Sequence, residues 1–178
     1  GDTKVIDVMI VVSDGSRERA DIIPLVTQSL EGVEFHLHCV GESQFADFTW
    51  DHEAFSVIAK MCDFGICFLS RDNETTGSQM VVSMMGLGLP VVASANESTV
   101  ALVDHNHDGF LAYDQDEWRA YITILATDVV RRREMAERAV LKARSRSPLS
   151  FANLWLEGLG LKSRSLDVIV PCHGQPEY

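Results

Sequence analysis

Five short apolar runs, rich in β-branched residues, recur along this chain and limit what it can fold into. They are Val5 to Val12 (VIDVMIVV), Val33 to Val40 (VEFHLHCV), Phe64 to Leu69 (FGICFL), Leu89 to Ala93 (LPVVA) and Phe110 to Tyr113 (FLAY). Only VEFHLHCV alternates apolar with polar residues, as a strand with one wet face does; the others are mostly continuous. Continuous apolar strands need cover on both faces. Because the runs alternate with helical segments, they predict a parallel sheet packed on both sides, a doubly wound α/β domain.

The segments between fit that scheme. Ile22 to Leu30 reads as a helix closed by Glu31-Gly32, and Gly41 to Trp50 as irregular. Asp51 to Met61 reads as a helix with Asp51 as N-cap. Arg71 to Gly77 (RDNETTG) reads as a loop, Ser78 as the start of a helix, Thr99 to Asp104 as a short helix and His105 to Gly109 as a turn. After the fifth run come C-terminal helices. Asp114 to Thr127 carries Trp118, Tyr121, Ile122 and Leu125 at helical spacing. A charged helix from Val129 to Arg144 follows, then a third from Leu149 to Leu159. Ligands of such sheets bind at the carboxyl ends of strands, in the strand-to-helix loops. That rule selects Ser13–Asp21, Arg71–Gly77 and Ala95–Ser98.

Composition narrows the partners. With 178 residues, 46% of them apolar and 23% charged, the chain can bury a core of useful size. A net charge of −11 argues against a nucleic-acid surface, which needs a basic face, but a small anion responds to local groups. No apolar run reaches the length of a membrane span. No signal peptide is read in Gly1-Asp2-Thr3-Lys4, which pass straight into a strand-like run. Cys39, Cys62, Cys67 and Cys172 form no Cys-x-x-Cys pair. Free thiols in a reducing cytoplasm are the expectation. His36 and His38 share one strand face and His105 and His107 flank a turn, without a metal pattern, so no metal is expected.

The stretch VVSMMGLGLPVVASA, Val81 to Ala95, hands a helix over to a strand through Gly86-Leu87-Gly88. Small residues there permit a tight turn. At the other end of that helix, Glu74 to Gln79 (ETTGSQ) leads in. A Gly-Ser helix start leaves backbone N–H groups uncovered, and with the helix dipole these favour an anion such as a phosphate. The same geometry also serves a plain helix cap.

The segment from Asp63 to Phe110 resembles the C-terminal half of a GT-B glycosyltransferase of the large retaining family-4 type. GSQMVVSMMGLGLPVVAS matches that family's Gly, apolar helix and Met-x-x-Gly-x-Pro-Val-Val-Ala-Ser run. VDHNHDGFLAYD, the Trp-bearing DEWRAYITILATD, an Arg-rich helix and SFANLWLEGL then follow in the family's order, so the likeness runs from about Asp7 to about Leu161. The resemblance implies a domain, residues 1–164, that binds a nucleotide-diphospho-sugar as substrate, with no cofactor or metal. It also implies a separate N-terminal half for the acceptor, missing from this chain. The role implied is sugar transfer in polysaccharide or other glycoconjugate assembly. That family places two glutamates around the phosphate-binding helix. Here the ribose-binding position is Ser83, a departure from glutamate that weakens the hydrogen bond by removing its charge. Counting eight positions back from Ser83 puts the sugar-binding position at Thr75; matching ETTG to the family's Glu-x-Phe-Gly gives that role to Glu74 instead, with one extra residue before Ser83. Thr76, Gly77, Ser78 and Gln79 are expected to cradle the diphosphate. Arg17 and Arg19, in a first loop without lysine, are expected to neutralise it as leaving group. Ser13 and Gly15 of that loop complete the donor-binding set. Arg17, Arg19 and Glu74 also suit solvent-facing positions.

Ser165 to Tyr178 (SLDVIVPCHGQPEY) resembles the first strand of a GT-A, family-2 glycosyltransferase, which implies a following domain. An extra edge strand is the alternative. Two rival readings stand beside the donor half. One is a degenerate, non-catalytic GT-B-like domain used for assembly with its neighbours. The other is a flavodoxin-like or receiver-like domain, which the single acidic residue of Ser13-Asp14 and the post-sheet helices fit poorly.

Overall fold

The computed structural model describes residues 4–12, 17–41, 48–49, 52–69 and 74–146. The chain divides into two units, Gly1–Ala143 and Arg144–Tyr178, and the second contains only three of the described residues. The helix expected at Leu149–Leu159, the boundary expected after residue 164 and the tail all lie outside the described residues.

Six parallel strands form one sheet: β1 (Ile6–Val12), β2 (Phe35–Gly41), β3 (Phe48–Thr49), β4 (Phe64–Phe68), β5 (Val91–Ser94) and β6 (Phe110–Ala112). Their order is β3-β2-β1-β4-β5-β6. Helices α1 (Arg17–Ser29), α2 (His52–Met61), α3 (Glu74–Gly86), α4 (Glu97–Val100), α5 (Gln115–Thr127) and α6 (Val129–Ser145) make the connections and the C-terminal cover.

Side-chain alternation along the strands explains why their sequences are continuously apolar. Ile6, Val8 and Ile10 of β1, with Phe64, Ile66, Val92 and Phe110, face one cluster closed by Ile22 and Val26 of α1 and Trp118, Ile122 and Leu125 of α5. Met9 and Val11, with Cys67, Val91, Ala93 and Leu111, face the other, closed by Phe55 and Ile58 of α2, Val81 and Met84 of α3 and Ala139 of α6. Both faces are dry along β1 from Val8 to Val11 and along β4 and β6, so each position there is apolar or glycine, whereas β2, with His36 and His38, keeps a wet face.

The helix-to-strand handover is a Schellman motif. Leu89 N–H donates to Met84 O (3.0 Å) and Gly88 N–H to Met85 O (3.0 Å). Gly88 has φ +85°, a conformation that penalises any Cβ. Met84 and Leu89, both buried, supply the apolar contact that accompanies the motif.

Four boundaries differ from the sequence reading. α1 begins at Arg17, because its first turn is polar and carries no apolar period; Pro24 lies within it on the exposed side. There the carbonyl four residues earlier, left without its partner, can take water. α3 begins at Glu74 rather than Ser78; Glu74-Thr75-Thr76-Gly77 carries no apolar residue to show a helical period in sequence. α4 begins at Glu97: Asn96 and Thr99 form a capping box, so Thr99 sits at the third helical position instead of the first. β3 lies in the stretch read as irregular, and two residues are too few to show a period.

At the amino ends of the strands, a polar network ties the layers together. Asp63 N–H donates to Asp7 O (2.7 Å), and Asp7 N–H donates to Asp63 Oδ2 (3.0 Å). Asp63 Oδ1 meets Lys4 Nζ (2.8 Å) and Arg132 Nη2 (3.2 Å). Arg132 is buried, and its Nη1 also donates to Leu125 O (2.6 Å) and Ala126 O (3.2 Å), two carbonyls that the end of α5 leaves without helical partners. Further along α6, Lys142 Nζ lies 2.8 Å from Asp104 and 3.1 Å from Asp108, and Arg131 reaches Asn106. The arginine-rich helix thus grips the 104–108 turn.

Candidate functional site

In a sheet of this order the chain reverses direction between β1 and β4. β1 leads to α1 and leftward to β2; β4 leads to α3 and rightward to β5. Val12 pairs with Phe68, so the two strands end side by side. α1 and α3 cover opposite faces. Their N-termini therefore flank one crevice at the carboxyl edge, the place where open α/β sheets bind ligands. Two helix N-termini there direct uncovered N–H groups and positive dipole ends towards it.

The expected residues distribute along these two elements. Arg17 and Arg19 lie in the first turn of α1 rather than in a loop. Glu74, Thr76 and Gly77 lie in the first turn and a half of α3, not before it. By helix geometry the uncovered amides of that turn belong to Glu74, Thr75 and Thr76. Ser78 is half-buried and Gln79 exposed. Ser83 is half-buried about one turn further on, and its Oγ donates to Gln79 O (2.9 Å). That bond uses the hydroxyl proton within the helix and leaves the oxygen able to accept from a sugar hydroxyl. Ser83 lies about 14 Å along α3 from its first residue. Ser13 and Gly15 lie outside the described residues.

Of the third loop selected from sequence, Ala95 and Asn96 lead into α4. Thr99, wholly buried, holds that loop: its Oγ1 donates to Ser94 O (2.6 Å) and accepts from Asn96 N–H (3.0 Å). Ser94 Oγ accepts from Leu69 N–H (3.0 Å) at the exit of β4. Sequence reasoning missed Ser94 and Thr99 as joints of this edge. Asn96-x-x-Thr99, a polar pair at capping-box spacing, was the available signal.

His36, His38 and His105 serve packing and hydrogen bonding. His38 Nε2 (2.8 Å) and His36 Nδ1 (3.3 Å) both face Asp7 Oδ1, at the edge of the sheet opposite the crevice. His105 Nδ1 accepts from Leu111 N–H (3.1 Å). Asp104, His107 and Asp108 bring one ligand atom each within 4.8 Å of one another, but the Lys142 ammonium already sits on both carboxylates. Among the described residues no helix is long and apolar enough to cross a membrane.

No family model and no curated protein sequence matches the chain. Solved structures do. The C-terminal domain of LpcC, a glycosyl transferase group 1 family protein from Francisella tularensis, matches with TM-score 0.65 at 10% identity, over 79% of this chain and 85% of that one. WaaG, a glycosyltransferase involved in lipopolysaccharide biosynthesis, matches with TM-score 0.65 at 18% identity, over 84% of this chain and 46% of its own. Anabaena HepE in complex with UDP-glucose matches with TM-score 0.61 at 18% identity, over 86% of this chain and 48% of its own. The chain spans less than half the length of WaaG and HepE. It therefore has the Rossmann-like fold of the C-terminal half of a GT-B glycosyltransferase.

Proposed function

We propose that this domain is the nucleotide-diphospho-sugar-binding half of a glycosyltransferase, serving transfer of a sugar to a glycan or glycoconjugate acceptor in the cytoplasm. One observation carries the reading: the N-termini of α1 and α3 flank the single reversal point of the sheet. A diphosphate carries the charge that two helix N-termini favour. Arg17 and Arg19 neutralise it as it leaves, work that calls for no metal or cofactor. Ser13, Gly15 and the Thr76–Gln79 segment line its path. Ser83 accepts from a ribose hydroxyl and Glu74 contacts the donor sugar. The acceptor is held by an N-terminal half outside this sequence, and a GT-A domain follows the tail.

A second reading, a non-catalytic domain retained for assembly, is favoured by Ser83. A serine whose proton is spent on Gln79 O replaces a carboxylate that would grip ribose through charge-assisted bonds.

Thermal midpoints with a panel of nucleoside diphosphates and their sugars separate the two. Ligand at about 100 times its Kd adds about 2.7 kcal/mol, or roughly 5–10 °C for a domain of this size. A selective rise that the Arg17→Ala/Arg19→Ala double variant abolishes is the expected result. A flat panel refutes the donor reading and leaves the assembly domain.

A further inference from the structure

Ser94 ends β5 at the carboxyl edge, and its side chain reaches beyond its own strand. The β4–β5 register runs from Gly65↔Val91 to Cys67↔Ala93. Just past it, Leu69 N–H donates to Ser94 Oγ (3.0 Å) rather than to a backbone carbonyl. A side chain therefore supplies the last tie between the two strands. Ser94 is anchored in turn on its other side. Its carbonyl accepts from Thr99 Oγ1 (2.6 Å), whose residue is wholly buried and locked by Asn96 on both its amide and its hydroxyl. On the next strand, Ala95 N–H donates to Ala112 O (2.9 Å). The exits of β4 and β5, and the start of α4, thus meet at one serine hydroxyl and one threonine hydroxyl.

Leu69 is buried, and within five residues the chain has begun α3. Leu69 is the last described residue before Glu74 opens α3. We propose that Ser94 is a positioning residue for the donor site, acting through Leu69 on the approach to Glu74 and the first turn of α3. The inference rests on the donor-binding reading of that turn. The ladder between β4 and β5 ends before the Leu69–Ser94 bond, so removing the hydroxyl spares the sheet.

The test compares wild type with Ser94→Ala and Ser94→Thr, in two measurements. Amide hydrogen exchange reads the exit directly. Ser94→Ala is expected to speed exchange at Leu69 and through 77–79, the first hydrogen-bonded amides of α3, about fivefold, one lost hydrogen bond, while α5 and α6 stay unchanged. Titration with the nucleotide that stabilises wild type, below the melting range, is expected to show about fivefold weaker binding in Ser94→Ala. Ser94→Thr, which keeps the hydroxyl, restores both. Thr99→Val, which keeps the shape but removes the second hydroxyl, should speed exchange over the same residues. Unchanged exchange at Leu69 and 77–79 in Ser94→Ala overturns the inference, as does unchanged affinity beside a wild type that binds. A wild type that binds no nucleotide refutes the donor reading instead, and the exchange data then decide whether Ser94 positions α3.

Discussion

Replacing Arg132 by alanine tests the packing of α6 on the sheet. The side chain is 7% exposed and makes three bonds: two to the Leu125 and Ala126 carbonyls and one to Asp63 Oδ1. Removing one partner of a buried pair costs about 3–5 kcal/mol, because the other charge stays buried and unpaired. Asp63 would keep the Lys4 ammonium and the Asp7 amide, so the cost of its charge falls at the low end. Two carbonyls lose a charged donor, and one unsatisfied buried acceptor costs about 1–3 kcal/mol. The sum points to about 4 kcal/mol, or roughly 8–16 °C in Tm. Urea and thermal unfolding followed by circular dichroism measure it. Arg132→Lys should fall between, since one ammonium cannot span the three acceptors that a guanidinium fork spans. The network lies at the edge of the sheet opposite the crevice, so nucleotide affinity below the melting range should stay unchanged. A loss under about 1 kcal/mol in Arg132→Ala would refute the reasoning, since it would mean that water or Lys4 satisfies these groups at no cost.

Three further perturbations follow from named contacts. A Cβ on Gly109 would lie 2.9 Å from Val103 Cγ1 and 3.2 Å from Val91 O, so Gly109→Ala should lose about 1–3 kcal/mol in urea unfolding; a neutral result would show that β5 and β6 can part cheaply. Burial pushes the Asp7 carboxyl up, but the hydrogen bonds from His38 and His36, and their charges, outweigh it and hold the group below its usual range. A depressed folded pKa stabilises above the unfolded value, about 4, and the benefit is lost as pH falls through the lower folded value. Wild type should therefore lose stability below about pH 4 more steeply than Asp7→Asn, and parallel curves would remove Asp7 from the acid limb. Burial first, then the Asp7 and Asp63 carboxylates, push the Cys62 thiol up to about 12. At pH 8 only about one part in ten thousand is thiolate, so peptide mapping after brief iodoacetamide treatment should find Cys62 unmodified despite its partial exposure.

The succession of helices and of every strand but β3 was legible in the sequence because it rests on local periodicity. Dry-faced strands stay apolar at every position, and the helices of the second half show their core stripe at Trp118, Ile122 and Leu125. The Gly88 turn was legible too, since a left-handed residue between an apolar helix and a Pro-Val-Val strand leaves few choices. Helix starts were not: SRERAD and ETTGSQ carry no apolar residue in phase, so the first turns of α1 and α3 read as loops. The candidate site was legible as loops at strand ends. Its arrangement was not, because which two loops meet depends on strand order, a property of non-local pairing.

What the sequence determined by itself is therefore the parallel sheet covered on both faces and the tight Gly86-Leu87-Gly88 handover, each encoded within a dozen residues. What only the tertiary structure decided is that β1 and β4 end side by side with α1 and α3 on opposite faces. It also decided that Arg132 meets Asp63 across 69 positions and that Ser94 meets Leu69 across 25. Those contacts join residues whose spacing follows no period. They form because packing the two apolar faces brings distant polar groups into low dielectric, where each must find a partner.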